Sequence, residues 1–275
     1  MNSLFSLEGK TAIITGASGF LGRTMSKALA QNGAKVIALG RSSKLADFIK
    51  QCDNEFGKGK VIGHTIDMYN IEALSKLLDQ IILQEKKIDI LVNNAHELNQ
   101  NTGFNTPSGN LENATLDQWM KNLTGGIYWA ALCSQKVGTV MKENKKGSII
   151  NISSMYGKVA PSPLLYEGTD KINPPGYVAA KSGLIGLTKY VASFWGPFGI
   201  RANAILPGPF SNTEDSGPNS VKKEDPFLDK LKQRTCLRRI GLANELIGPL
   251  LFLASDASSY VTGHELVVDG GWTVI

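Results

Sequence analysis

A chain of 275 residues, 42% of them apolar, is long enough to bury the core of one large domain. Its net charge of +5 comes from interleaved acids and bases, too mild and too dispersed for a nucleic-acid surface or a polybasic membrane patch. The cysteines (Cys52, Cys133, Cys236) and histidines (His64, His96, His264) are scattered, so no metal site is expected and a reduced, cytoplasmic protein is the default.

The N-terminal "MNSLFSLEGK" has no basic segment followed by an apolar one, so no signal peptide is expected. The apolar run "LIGPLLFLA" falls short of the ~18 residues of a membrane span. In chain order, short β-branched runs predict strands at 11–15, 35–39, 60–66, 88–93, 147–152, 200–206 and 265–269. Helical patterns fill most gaps, as at 20–32, 70–86, 115–144, 176–196 and 243–254. This alternation, without repeat or linker, predicts an α/β fold: a single domain over 1–275, with a Rossmann-like, doubly wound parallel sheet of about seven strands covered by helices on both faces. A glycine-turn half would span about 8–95 and a catalytic and substrate half about 96–275. Two loops, 157–175 and 207–237, break the rhythm and follow strand C-termini, where open sheets bind ligands.

The first predicted strand runs into "TGASGFLGR". Gly16, Gly19 and Gly22 suit a dinucleotide-binding turn: one makes the bend, one admits a pyrophosphate, one lets the helix pack on the sheet. The helix N-terminus then offers free N–H groups to phosphates. Ser18, Phe20 and Leu21 lie in the same turn and are further candidate cofactor contacts. The second strand ends in "ALGRSS", with Gly40 where an NAD site usually carries an acid. Arg41 with Ser42 and Ser43 suits a 2′-phosphate instead, so NADP(H) is favoured over NAD(H). Farther on, "GYVAAKSG" places Tyr177 and Lys181 four residues apart, on one helix face. A fixed ammonium favours phenolate, which would bring the phenol below its ordinary ~10 and make it a usable proton donor.

Together these motifs resemble the short-chain dehydrogenase/reductase family from Lys10 to Trp272: the turn at 15–22, Asp67, "NNA" at 93–95, "NISS" at 151–154, "YVAAK" at 177–181, "PGP" at 207–209 and "DGGW" at 269–272. The resemblance implies hydride transfer between a nicotinamide and a carbonyl or alcohol. It implies that Ser154 bonds the substrate oxygen, Tyr177 gives or takes its proton, and Lys181 tunes the tyrosine and holds the nicotinamide ribose. Asp67 and Met68 would touch adenine, and Asn94 and Ala95 would line the cofactor. Pro207, Gly208 and Phe210 would frame the nicotinamide, with Asn212 in the same loop. A homo-oligomer, dimer or tetramer, and a small-molecule substrate are also implied.

Four departures from the family pattern stand out. The glycine spacing matches the extended branch, whereas the length and "DGGW" match the compact one. His96 replaces the glycine of "NNAG", which points its side chain toward a substrate pocket or a packing gap. The family's catalytic asparagine aligns with Gly126 when Trp119 and Met141 are matched without gaps, so Asn122 lies one turn early and a relay would pass by another route, such as water. Finally, Ser154 and Tyr177 are separated by ten more residues than usual. The inserted stretch "KVAPSPLLYEGTDKINPPG" resembles reductases of bacterial surface-sugar and flagellin-sugar pathways. Its polar residues, Glu167 above all, are candidates for binding sugar hydroxyls. The leading expectation is an NADP(H)-dependent oxidoreductase acting on a polar, sugar-like alcohol or ketone. An epimerase or dehydratase that retains its cofactor and a non-catalytic NADP(H) sensor or scaffold are the alternatives. Tyr156 and Trp195 leave an apolar ketone open.

Overall fold

The computed structural model describes residues 4–41, 43–210 and 225–275. Seven strands form one sheet: β1 Thr11–Thr15, β2 Lys35–Gly40, β3 Val61–Thr65, β4 Ile90–Asn93, β5 Gly147–Ile152, β6 Ile200–Pro207 and β7 Glu265–Val268. All pairs are parallel and the order is β3-β2-β1-β4-β5-β6-β7. The chain therefore starts in the middle, winds to one edge, and returns past β1 to wind to the other. The switch falls between β1 and β4, and open α/β sheets bind ligands at the C-terminal ends of such strands.

Neighbouring residues of a strand point to opposite faces, so central strands covered on both sides carry near-continuous apolar runs. Ile13 and Ile14 in β1 are fully buried on opposite sides. On one face Ile14, Val36, Val92 and Ile150 pack on helices α1 (Phe20–Gln31) and α2 (Lys44–Phe56), and on Leu250 and Leu253 near the C-terminus. On the other, Ile13, Leu39, Leu91 and Ile149 meet Leu74 and Leu78 of α3 (Ile71–Glu85), with Trp129 and Val137 beyond it. The expected single domain and doubly wound sheet describe this arrangement. Helix α2 lay outside the predicted helical stretches, although Leu45, Phe48 and Cys52 give it a buried stripe.

The long helix expected at 115–144 is interrupted. It runs as α4 (Leu116–Leu123), one π-helical turn (Thr124–Tyr128) and α5 (Trp129–Glu143). Gly125 and Gly126 sit in the widened turn, and a Cβ on Gly125 would lie 3.3 Å from the Trp129 ring. The loop at 157–175 holds the one-turn helix α6 (Pro163–Tyr166). Helix α7 (Pro175–Trp195) follows, then α8 (Pro226–Gln233) within the second predicted loop and α9 (Ile247–Ala254). Among the described residues, no helix is long and apolar enough to cross a membrane.

Candidate active site

The C-terminal strand ends enclose a cavity of about 510 Å³, within the range of small-molecule and cofactor sites. Its floor is the glycine turn between β1 and α1. Gly16 adopts φ +66°, and a Cβ there would lie 2.9 Å from Asn94 Nδ2 and 3.0 Å from Ala95 Cα. The turn is fastened to the next loop by Asn94, whose Nδ2 donates to the carbonyls of Thr15 (3.0 Å) and Gly16 (3.2 Å). The Asn94 and Ala95 N–H groups both donate to Thr15 Oγ1 at 3.0 Å. Helix α1 starts at Gly19 with no side-chain cap and no acid in its first turn. Its first N–H groups thus remain available to an anion, and the turn fits a pyrophosphate.

Of the residues expected at the cofactor, Gly16, Ser18, Gly19, Phe20, Leu21, Gly22, Arg41, Asp67, Met68, Asn94, Ala95, Pro207, Gly208 and Phe210 all line this cavity. Ser42 and Asn212 lie outside the described residues. Ser154, Tyr177, Lys181 and His96 line the same cavity, so the floor and the candidate proton-transfer group share one space. Ser154 follows β5 and caps a short turn, its Oγ accepting from the Tyr156 N–H at 3.1 Å. Tyr177 and Lys181 come from the first turns of α7. That helix is tied to β5 by Asn151 Nδ2 donating to Thr188 Oγ1 (2.8 Å), and to the residue just after the strand by Ser153 Oγ donating to the Lys181 carbonyl (2.8 Å).

Lys181 is buried and its Nζ donates to the Ile152 carbonyl at 2.8 Å. Burial pulls its amine from 10.5 to about 7. Burial likewise raises the Tyr177 phenol above 10, with the neighbouring Ser154 hydroxyl pulling the other way. The expectation that Lys181 leaves the phenol below its ordinary value is thus corrected: Lys181 Nζ lies 5.7 Å from the ring centroid and donates to the Ile152 carbonyl, and desolvation of the phenolate sets the direction. The sign for folding follows. Below about 7 the amine is charged both folded and unfolded, and folding bears the full cost of burying it. Between about 7 and 10.5 only the unfolded chain keeps the proton, so stability rises with pH. Lys181→Met removes that dependence. Its melting temperature relative to wild type is expected to be highest near pH 6 and to decline toward pH 9; a margin independent of pH would contradict a buried, titrating amine.

His96 sits edge-on to Tyr177, with ring centroids 5.0 Å apart. Burial and the Lys181 charge push its pKa well down, and the nearby Asn122 side chain opposes them. The imidazole is therefore neutral. Its contact with Asn122 falls outside hydrogen-bond geometry, and both ring nitrogens and Asn122 Oδ1 lack partners among the described residues. A Cβ on Gly126 would lie 2.8 Å from His96 Cε1 and 2.5 Å from Ala180 Cβ. The two departures at 96 and 126 thus touch: the imidazole fills space that a side chain at 126 would need. Asn122 instead donates from Nδ2 to the Thr102 (2.8 Å) and Gln118 (2.9 Å) carbonyls and stays outside the cavity lining, as its spacing implied.

Two substrate candidates stand elsewhere. Glu167 is exposed and does not line the cavity; its carbonyl accepts from Lys230 Nζ at 2.6 Å. Tyr156 is buried against Trp272 rather than facing the cavity. The inserted segment approaches the site through Tyr166, whose hydroxyl accepts from Asn173 Nδ2 (2.8 Å), donates to Tyr156 Oη (3.4 Å), and helps raise the Tyr177 phenol. Glu97, which the motif reading missed, also lines the cavity and pairs with Arg41. Its position next to His96 was the only sequence signal.

Comparison with known proteins bears on this arrangement. A family model described as Enoyl-(Acyl carrier protein) reductase matches residues 16–273. The chain belongs to the short-chain dehydrogenase/reductase family. It is of the compact type despite its glycine spacing, and is a nicotinamide-dependent oxidoreductase. Among the relatives of this short-chain dehydrogenase/reductase is a 2-dehydro-3-deoxy-D-gluconate 5-dehydrogenase of Bacillus subtilis, 34% identical, covering 99% of this chain and 98% of that one. A sorbose reductase of Candida albicans is 35% identical, covering 98% and 89%. A solved gluconate 5-dehydrogenase from Burkholderia cenocepacia, in complex with NADP and tartrate, superposes with a TM-score of 0.84 at 28% identity, covering 100% and 99%.

Proposed function

We propose that this short-chain dehydrogenase/reductase interconverts a ketone and an alcohol on a hydroxyl-rich small molecule, a ketose or keto sugar acid, with Tyr177 as general acid and base. The observation that carries the reading is that Ser154, Tyr177 and Lys181 face the same cavity as the glycine turn. The nicotinamide supplies or takes the hydride when bound. In the reducing direction Ser154 holds the carbonyl oxygen. The Tyr177 O–H bond breaks as a new O–H bond forms on that oxygen. The phenol's raised pKa keeps the proton in place until charge develops on the substrate. The phenolate so formed draws Lys181 toward its charged form, so their coupling acts during transfer rather than before it.

Two further features bear on the substrate. Tyr166, hydrogen-bonded by Asn173, forms a polar pair behind the cavity lining, near enough for its hydroxyl to bear on the Tyr177 phenol. The relatives named for gluconate derivatives and sorbose act on molecules of the same class. NADP(H) is the favoured cofactor in this reading, through Arg41, and NADP is present in the Burkholderia structure. The test is a panel assayed by absorbance of NADPH and NADH: sorbose, keto derivatives of gluconate, galactose with oxidised cofactor, and an apolar cyclic ketone. A polar member turned over at least tenfold faster than the apolar ketone is the expected result. Preference for the apolar ketone would remove the sugar-like assignment.

A further inference from the structure

The end of β2 carries no acid, yet a carboxylate is delivered there from elsewhere. Glu97 leaves the C-terminal end of β4, and β1 lies between β4 and β2 in the sheet. Its Oε1 accepts from Arg41 Nη2 at 2.9 Å and from Asn99 Nδ2 at 2.9 Å, and its Oε2 accepts from Tyr69 Oη at 2.8 Å. The ion pair thus bridges the cavity edge above the glycine turn. Glu97's side chain is 7% exposed and Arg41's is 56%. Three donors hold the acid below its ordinary range despite burial. Tyr69 is itself braced edge-on by Trp129, with centroids 4.8 Å apart. Arg41 also feels the charge of Asp67 on the same wall.

A half-exposed ion pair contributes little to stability, whereas burying a carboxylate is costly unless it is bonded as fully as this one is. The arrangement therefore calls for a reason beyond the fold. Arg41, Asp67 and Glu97 together carry one positive and two negative charges. A dianionic phosphate approaching Arg41 meets a guanidinium already engaged and two carboxylates close by; a neutral diol meets no such opposition and finds an acceptor in Glu97.

We propose that Glu97 is a cofactor-selecting residue, whose fixed carboxylate engages Arg41 and so weakens the grip of that guanidinium on an adenosine 2′-phosphate. The inference rests on the nicotinamide-dependent reading above. It makes any NADP(H) preference set by Arg41 a restrained one, which the protein can strengthen by a single substitution.

Titration of the purified protein with NADPH and with NADH, followed by cofactor fluorescence, tests it without a substrate. Glu97→Gln keeps a side chain that Tyr69 and Asn99 can bond and removes the charge; Glu97→Leu, an apolar replacement suited to a buried position, is the second variant. Each is expected to bind NADPH about tenfold more tightly, while NADH affinity stays the same or weakens. In an Arg41→Ala background the same substitution should change NADPH affinity less than about twofold. Melting temperatures of each variant establish that the fold is retained. Wild type binding both cofactors, with the NADPH-to-NADH ratio unmoved by either variant, would overturn the inference alone. An equal effect with and without Arg41 would also overturn it. Wild type binding neither cofactor would overturn the nicotinamide reading beneath it.

Discussion

Tyr177→Phe is expected to lower kcat by about 10²–10⁴-fold, the usual cost of losing a positioned general acid. The substitution keeps the ring that packs edge-on to His96 and removes only the hydroxyl beside Ser154. Cofactor affinity should stay within about threefold of wild type, because the glycine turn, Asn94 and Arg41 are untouched. The melting temperature should hold or rise, since a half-buried phenol with few partners is exchanged for a hydrocarbon. Turnover and cofactor titration on the same preparation check this. Near-normal turnover would remove Tyr177 from the chemistry, and lost cofactor binding would make it a structural residue instead.

Gly22→Ala is expected to act at the other end of the cavity. A Cβ at this position would overlap the Gly16 carbonyl oxygen and lie 2.9 Å from the Gly16 carbonyl carbon and 3.0 Å from Asn94 Nδ2. The first two are backbone atoms and cannot swing aside, so the turn itself must move. Overpacking of this kind costs about 1–3 kcal/mol, or several degrees of melting temperature in a chain of this size. Affinity for NADPH and NADH alike should fall at least about tenfold, because the N–H groups at the start of α1 shift with the turn. Gly186→Ala is the control: a Cβ there meets nothing within 4 Å. Unaltered cofactor binding by Gly22→Ala would show that this turn is not the pyrophosphate site.

The fold was legible because both faces of the sheet are covered. The centres of β1, β2 and β4 (Ala12–Ile14, Val36–Leu39 and Ile90–Val92) then read as unbroken apolar runs. The site was legible where a function demands a residue type at a fixed spacing, as with Gly16, Ser154, Tyr177 and Lys181. What stayed hidden depends on contacts between distant segments. Nothing near Arg41 announces Glu97, which reaches it across β1 from 56 residues away. His96 and Gly126 each look like a lost motif residue until the imidazole is seen filling the glycine's side-chain space. The polar composition of the inserted segment favoured Glu167, but the backbone path of 157–175 turns that carboxylate to solvent and brings Tyr166 inward. Likewise the Tyr177–Lys181 spacing gives their proximity, whereas the pKa direction follows from a burial that spacing does not encode.

The most direct measurement follows an isotope. NADPH carrying deuterium at both C4 positions of the nicotinamide is incubated with the protein and the ketone of the panel that it turns over best. The product is then examined by mass spectrometry and proton NMR. The account requires one deuterium per product molecule, on the new carbinol carbon, with one cofactor oxidised for each. Conversion that leaves the product unlabelled and the cofactor unconsumed would contradict it, and would identify an enzyme that recycles its nicotinamide to epimerise or dehydrate.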